Sequence, residues 1–117
     1  VESVATYLAD QSDPDNGRYV FAYTITIRNS GTAAAQLVSR HWIITDANNA
    51  VQEVRGLGVV GHQPLLQPGE AFEYTSGTSL TTPSGTMQGE YYCTAEDGTQ
   101  FEVTIPLFGL YRPNMLH

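Results

Sequence analysis

One segment of the sequence has residue types and spacing that could bind a phosphate group. Gly56, Gly58 and Gly61 match the pattern G-x-G-x-x-G, in which backbone N–H groups approach a pyrophosphate at the N-terminus of a helix. Pro64 follows closely and prevents a helix of useful length from starting there. The segment therefore favours a glycine-rich bend between strands over a dinucleotide site.

Three other interpretations of this segment stay open. The N–H groups of a glycine-rich loop can form a concave anion site, with Arg55 beside it. Alternatively, its apolar residues could fold back over the core as a bulged strand, or could form an exposed tip that contacts another protein. We expect an exposed loop at residues 56–63, and we favour docking of a partner protein over anion binding as its role. The candidate residues are Arg55, Gly56, Leu57, Gly58, Val59, Val60, Gly61, His62 and Gln63.

The other reactive residues lack the spacing of a catalytic or metal site. His41, His62 and His117 show no metal-ligand pattern, and Cys93 has no second cysteine with which to bind zinc. No G-x-S-x-G nucleophile motif occurs. The sequence therefore predicts no catalytic residue, no metal site and no cofactor. His41 is expected to make one hydrogen bond within a strand, and Cys93 to pack as a small core residue.

Composition and charge exclude several classes of partner. Twelve acids, five arginines and no lysine leave a net charge of −7, which opposes binding to nucleic acid and to anionic membranes. No apolar run approaches the ~20 residues that a transmembrane helix needs. The single cysteine excludes an internal disulfide and favours the cytoplasm. We expect a cytoplasmic protein whose partner is another protein, with its oligomeric state open.

Alternating residues predict a chain built almost entirely of β-strands. The alternation is clear at residues 19–28 and at residues 37–46. In the second run it places Trp42, with Arg40 and Ile44, on an inner face, and Leu37 and His41 on the other. Five further strands are predicted at residues 3–8, 51–55, 72–77, 87–95 and 100–108.

Turn residues between these strands complete the prediction of the fold. Asp97-Gly98 between two alternating runs is a strong hairpin signal, and Ser84-Gly85 is a second predicted turn. No window has the apolar spacing of a sizeable helix. Seven short strands predict one all-β, antiparallel domain over residues 1–117, either a sandwich or a barrel. Its core should contain Trp42, Ile44, Phe21 or Tyr23, and Val103 or Ile105.

Several sequence blocks, in order, resemble the bacterial ApaG family over nearly the whole chain. The blocks are YVFAYTITIRN, SRHWIITDA, VRGLGVVGHQPLLQPGEAFEYTSGTSL, GTMQGEYY and FEVTIPLFGL. The resemblance implies an immunoglobulin- or fibronectin-III-like β-sandwich. Because the same domain type is attached to eukaryotic F-box and polymerase-interacting proteins, the resemblance also implies protein binding. A family label further implies an indirect connection with cobalt and magnesium resistance or efflux.

Two functions of different classes follow from these observations. The first is a non-enzymatic protein-interaction module, which the missing catalytic residues and a surplus of aromatic residues favour. The alternative is a nucleotide- or pyrophosphate-binding domain, or a weak phosphohydrolase, that uses the glycine-rich loop from Gly56 to Gly61. The alternative rests on the glycine spacing and on the family's gene neighbour, a diadenosine-tetraphosphate hydrolase.

Overall fold

The computed structural model describes residues 1–113, and β-strands account for most of them. Two short 3₁₀ turns, Ala9–Gln11 and Pro14–Asn16, are the helical elements of this range. No helix within residues 1–113 is long and apolar enough to cross a membrane. The eight strands are β1 (Glu2–Tyr7), β2 (Tyr19–Arg28), β3 (Ala35–Asp46), β4 (Val51–Leu57), β5 (Leu65–Leu66), β6 (Ala71–Leu80), β7 (Ser84–Ala95) and β8 (Gln100–Tyr111).

The strands form two antiparallel sheets that pack face to face. One sheet has the order β1-β2-β6, and the other has the order β4-β3-β7-β8, with β5 paired to the start of β3. Side chains from the two inner faces meet in one hydrophobic cluster. The fold is therefore the antiparallel, immunoglobulin- or fibronectin-III-like sandwich that the sequence predicts.

Trp42 lies near the centre of this core. Its side chain is 2 % exposed, and its ring meets those of Tyr23, Tyr91 and Phe108 at centroid distances of 5.4, 6.4 and 5.9 Å, all edge to face. Opposite Trp42 on β7 stands Gly89, where an added Cβ would lie 1.9 Å from the His41 carbonyl oxygen. The predicted core is confirmed, since its buried residues include Phe21, Tyr23, Trp42, Ile44 and Ile105.

One β-bulge changes the two faces of β3. The pairing of β3 with β7 shifts register between Leu37 and Ser39, so one extra residue enters β3 there. The shift turns Leu37 inward, where it is 3 % exposed and joins the same cluster as Trp42. The prediction that Leu37 lies on the face opposite Trp42 is wrong because strict alternation does not anticipate a bulge.

Long-range pairing also decides where strands begin. The β7–β8 hairpin is confirmed, with Gly98 in its turn at a φ of +88°. Ser84 and Gly85, predicted as a turn, instead begin β7, because they pair with Tyr111 and Leu110 of β8. Strand β5 was not predicted, since two residues beside a proline carry no periodic signal of their own.

Candidate functional site

The segment predicted as a loop is partly strand and partly a tight turn. Gly56 and Leu57 continue β4 and pair with Arg40 and Ser39 of β3. Val59 is 0 % exposed and belongs to the core cluster. The expectation of an exposed loop therefore holds for residues 60–63 but is wrong for Gly58 and Val59, which are buried.

A strained two-residue turn forms the tip of this segment. The Val59 N–H donates to the His62 carbonyl at 2.8 Å, and the His62 N–H donates to the Val59 carbonyl at 2.9 Å. Between them Val60 and Gly61 have φ values of +43° and +82°, the positive pair typical of a type I′ turn. A β-branched residue rarely adopts positive φ, so the anchoring contacts must hold Val60 in this conformation.

Arg40 holds the segment from the side of β3. Its Nη1 donates to the carbonyl oxygens of Leu57 and Gly58 at 3.0 and 2.9 Å. The guanidinium occupies the space beside Gly56, where an added Cβ would approach it to 2.8 Å. Two further bonds reach the Val38 carbonyl, from the Gly58 N–H at 2.8 Å and the Gln63 side-chain amide at 2.9 Å. These hydrogen bonds consequently fix the backbone of the segment against β3.

These internal bonds leave the segment few groups with which to bind an anion. The N–H groups of Gly58, Val59 and His62 already donate to backbone carbonyls. The Arg40 guanidinium donates to carbonyls as well, and the Arg55 guanidinium lies 3.6 Å from a Glu53 carboxylate oxygen. The geometry therefore offers an anion few N–H or guanidinium donors.

The segment and the neighbouring strand β5 expose large apolar side chains among their polar ones. The exposed fractions of Leu57, Val60 and Leu65 are 75, 51 and 58 %, and the Arg55 side chain beside them is 67 % exposed. Leu57 and Leu65 flank the same stretch of β3, where they pair with Ser39 and Gln36. We call Arg55, Leu57, Val60 and Leu65 the loop edge.

A polar cluster on the outer face of the five-stranded sheet was missed by the sequence analysis. His41 Nδ1 lies 2.6 Å from Glu90 Oε1, and His41 Nε2 lies 2.8 Å from Glu53 Oε1. The Tyr92 hydroxyl donates to the same Glu90 oxygen at 2.9 Å. His41 thus contacts two carboxylates, and the prediction of one hydrogen bond is wrong. Recognising the cluster requires the register of β4, β3 and β7, which no local pattern supplies.

Both ring nitrogens of His41 must donate to satisfy the two carboxylates, so the cluster favours the imidazolium form. The hydrogen bonds to Glu90, first, and Glu53 raise the pKa of His41 above its ordinary 6.5. The hydrogen bond from His41 likewise lowers the pKa of Glu90 below its ordinary 4.5. The two carboxylates face opposite sides of the ring, so they do not converge on one cation. Residues 1–113 contain no group of three His, Cys, Asp or Glu side chains able to hold a metal ion.

Two tyrosine hydroxyls and the cysteine thiol are buried in forms that do not promote catalysis. The hydroxyls of Tyr74 and Tyr91 lie 2.5 Å apart in the core, and burial raises the pKa of Tyr74 to about 12 and that of Tyr91 further. Burial also raises the pKa of the Cys93 thiol, which favours the unreactive protonated form. The exposed His62 ring packs against Phe72 at 5.8 Å, and His117 lies outside the described residues.

Comparison with known proteins gives consistent matches over most of the chain. The model of the ApaG domain matches residues 9–95. Protein ApaG of Dechloromonas aromatica is 67 % identical over 117 residues, which are 100 % of this chain and 92 % of that protein. Protein ApaG of Thiobacillus denitrificans is 68 % identical over 111 residues, which are 95 % of this chain and 87 % of that protein.

A solved structure agrees with these three matches. The crystal structure of the ApaA protein from Bordetella pertussis superposes with a TM-score of 0.94 at 58 % identity and covers 97 % of this chain and 93 % of that one. Family model, relatives and structure thus point to one family. The chain belongs to the ApaG family.

Proposed function

We propose that this ApaG-family protein is a non-enzymatic interaction module that contacts another protein through the loop edge. One observation carries the proposal: large apolar side chains are exposed on a backbone that is fixed from inside. Leu57 is 75 % exposed, whereas Val59, two residues on, is 0 % exposed. Covering a surface of this kind with a partner removes apolar area from water and so favours association.

The fixed backbone matters because ordering a mobile segment would weaken association. Hydrogen bonds from Arg40 and the paired bonds of Val59 and His62 hold the segment before any partner arrives. Preorganisation of this kind lowers the entropic cost of binding. The exposed Arg55, which lies 3.6 Å from a Glu53 carboxylate oxygen, adds a polar rim beside the apolar contact.

Pyrophosphate binding, a direct role in cobalt and magnesium resistance, and catalysis have less support than protein binding. Pyrophosphate binding would need donors that Gly58, Val59 and His62 already use. An indirect part in cobalt and magnesium resistance would fall to the partner protein, with this chain supplying the contact. The role without catalysis is favoured because His41, Tyr91 and Cys93 are buried and held in forms unsuited to nucleophilic or base catalysis.

Substitution of Leu57 by Asp tests the proposal against a control on the same strand. Val51 is 61 % exposed at the other end of β4, so Val51→Asp adds the same charge away from the loop edge. After cross-linking in native cells and quantitative mass spectrometry, we expect partners that Val51→Asp retains to be lost with Leu57→Asp. An identical set of partners for both variants would overturn the proposal. Saturable, micromolar pyrophosphate binding with amide shifts at residues 56–63 would favour the alternative function.

A further inference from the structure

A cleft opens along one side of the sandwich, between the edge strands β4 and β6. Each of these strands is the last one in its sheet. The walls of the cleft come from β2 and β6 in one sheet and from β3 and β4 in the other. Its volume of about 370 Å³ lies within the ~300–1,000 Å³ range of small-molecule sites.

The Arg40 side chain lies on the inner face of its sheet and lines this cleft. Arg40 pairs with Tyr91, which is 0 % exposed in the core, and residues directly opposite each other on antiparallel strands share a face. On the other side Arg40 pairs with Gly56 of β4. A Cβ on Gly56 would point to the same face and would lie 2.8 Å from the guanidinium. The guanidinium is therefore placed beside the inner edge of β4.

The loop uses only part of this guanidinium. Nη1 makes both bonds to the carbonyl oxygens of Leu57 and Gly58, whereas Nε and Nη2 donate to none of residues 1–113. No carboxylate in that range lies within 4.0 Å of Arg40. Arg40 is also the one charged side chain among the ten residues that line the cleft. The fold thus holds a cation in place and leaves it donors for a ligand carboxylate.

Polar groups line the β6 side of the cleft. Ser76 and Thr78 pair with the core residues Tyr23 and Phe21 of β2, so both hydroxyls belong to the inner face. Neither hydroxyl makes a hydrogen bond within the part of the chain that the structure describes. Trp42, in the same lining, carries the one buried side-chain nitrogen or oxygen of that part without a hydrogen-bond partner. These groups favour a ligand that is rich in oxygen.

We propose that this cleft binds a small polyhydroxylated monocarboxylate, with its carboxylate on Arg40 and its hydroxyls on Ser76 and Thr78. One guanidinium balances one negative charge, and the net charge of −7 disfavours a polyanion. Ligand hydroxyls suit the wall better than an alkyl chain, because covering polar groups without hydrogen bonds costs free energy. None of the loop-edge residues lines the cleft, so the site does not depend on the proposed protein contact.

D-Gluconate provides the probe, with D-glucitol as its uncharged counterpart and hexanoate as a carboxylate without hydroxyls. Trp42 is the single tryptophan of the chain and lines the cleft, so its fluorescence reports on the site, and calorimetry supplies an independent affinity. Gluconate should bind saturably with a Kd below about 1 mM, and glucitol and hexanoate should each bind about tenfold more weakly or less. Absence of saturable gluconate binding, or equal affinity for all three compounds, would overturn the proposal.

A matched pair of variants on β6 locates the ligand. Thr78→Val removes one hydroxyl with little change of shape and should weaken gluconate about threefold or more. Thr75→Val makes the same change at an exposed threonine outside the cleft and should leave the affinity unchanged. Equal affinities for the two variants would place gluconate elsewhere and refute the site.

The charge is tested at Arg40 itself. Arg40→Gln should weaken gluconate about tenfold or more, because it removes a charge-assisted hydrogen bond. Circular dichroism checks that the variant is folded, since Arg40 also holds Leu57 and Gly58. Unchanged gluconate affinity in folded Arg40→Gln would contradict the proposal, and the Thr78 and Thr75 variants decide the question if Arg40→Gln does not fold.

Discussion

The two faces of the five-stranded sheet use neighbouring residues of β3 in opposite ways. Trp42 on the inner face is 2 % exposed and is surrounded by aromatic rings. His41 on the outer face is nearly as buried, at 6 %, but it is covered by the carboxylates of Glu53 and Glu90. Similar burial therefore does not imply similar energetics, because apolar rings exclude water from Trp42 whereas charged carboxylates exclude it from His41.

This contrast indicates which face should contribute most of the folding free energy and which face should make stability depend on pH. Apolar burial on the inner face depends little on pH and contributes most of the folding free energy. The ion-paired cluster on the outer face depends on protonation and contributes less, since Glu53 is 54 % exposed and its interaction is screened by solvent. Substitutions that separate these two kinds of contribution test the comparison.

The largest effect should come from the inner face. Trp42→Ala empties the centre of the aromatic cluster and should lower the free energy of unfolding by ~3–5 kcal/mol. The neighbouring outer-face residue Ile43, which is partly exposed, is the control, and Ile43→Ala should cost less than half as much. Thermal unfolding followed by circular dichroism measures both. Equal shifts in Tm would mean that Trp42 does not occupy the centre of the core.

A smaller effect should arise at Gly58, where the chain passes from the exposed Leu57 to the buried Val59. Gly58 has a φ of +62°, and an added Cβ would lie 2.3 Å from the His62 carbonyl oxygen. Gly58→Ala should therefore cost roughly 2 kcal/mol or more, combining left-handed strain of ~1–2 kcal/mol with the displacement of His62.

Gly61 supplies the control for this prediction. It also has positive φ, at +82°, but nothing lies within 4 Å of an added Cβ. Gly61→Ala should thus show the conformational strain alone, of ~1 kcal/mol. Urea unfolding of both variants separates strain from collision. A cost for Gly61→Ala as large as that for Gly58→Ala would contradict the close contact between Gly58 and His62.

Sequence pattern predicted the inner face better than the outer one, for a physical reason. Burial of Trp42 and Ile44 follows from a local alternation with period two, which hydrophobic residues record directly. The bulge near Val38 and the pairing that begins β7 at Ser84 depend on partners far along the chain. These long-range contacts leave no local signal, so the predictions of the face on which Leu37 lies and of the residue at which β7 begins are wrong.

The candidate site shows the same division. The glycines and apolar residues at positions 55–63 are unusual for a connection and predict a loop, and a tight turn does occur there. The burial of Val59 and the clamp made by Arg40 were not predictable, because both depend on how β4 lies beside β3. The cluster at His41 joins three strands, so its residues are separated by 12 and 49 positions.

The outer face should respond to pH through His41. A raised pKa means that the stabilisation by the imidazolium is complete below about pH 6.5 and is lost as pH rises through the folded-state pKa. Glu90 has a lowered pKa, so its stabilisation is present above about pH 4.5 and is lost as pH falls through the folded-state value. The cluster should therefore stabilise most between these two limits.

His41→Gln should remove the alkaline part of this dependence. Its loss of stability relative to the unmodified chain should be largest near about pH 5.5 and should shrink towards about pH 9, by urea unfolding with Trp fluorescence. His62→Gln, at an exposed histidine that packs on Phe72, is the control for replacing an imidazole outside the cluster. Parallel pH profiles for the unmodified chain and His41→Gln would show that the cluster does not act through the imidazolium.

The smallest effect on stability should come from the loop edge, which belongs to the outer face and is largely exposed among residues 1–113. Leu57 is 75 % exposed, so Leu57→Asp removes little buried area and should change the free energy of unfolding by within about 0.5 kcal/mol. Val51→Asp, at 61 % exposure on the same strand, should behave alike in urea unfolding. A cost above about 2 kcal/mol for Leu57→Asp alone would mean that Leu57 packs against the fold. The loop edge could then not be the exposed surface that a partner covers, because its apolar residues would already have one.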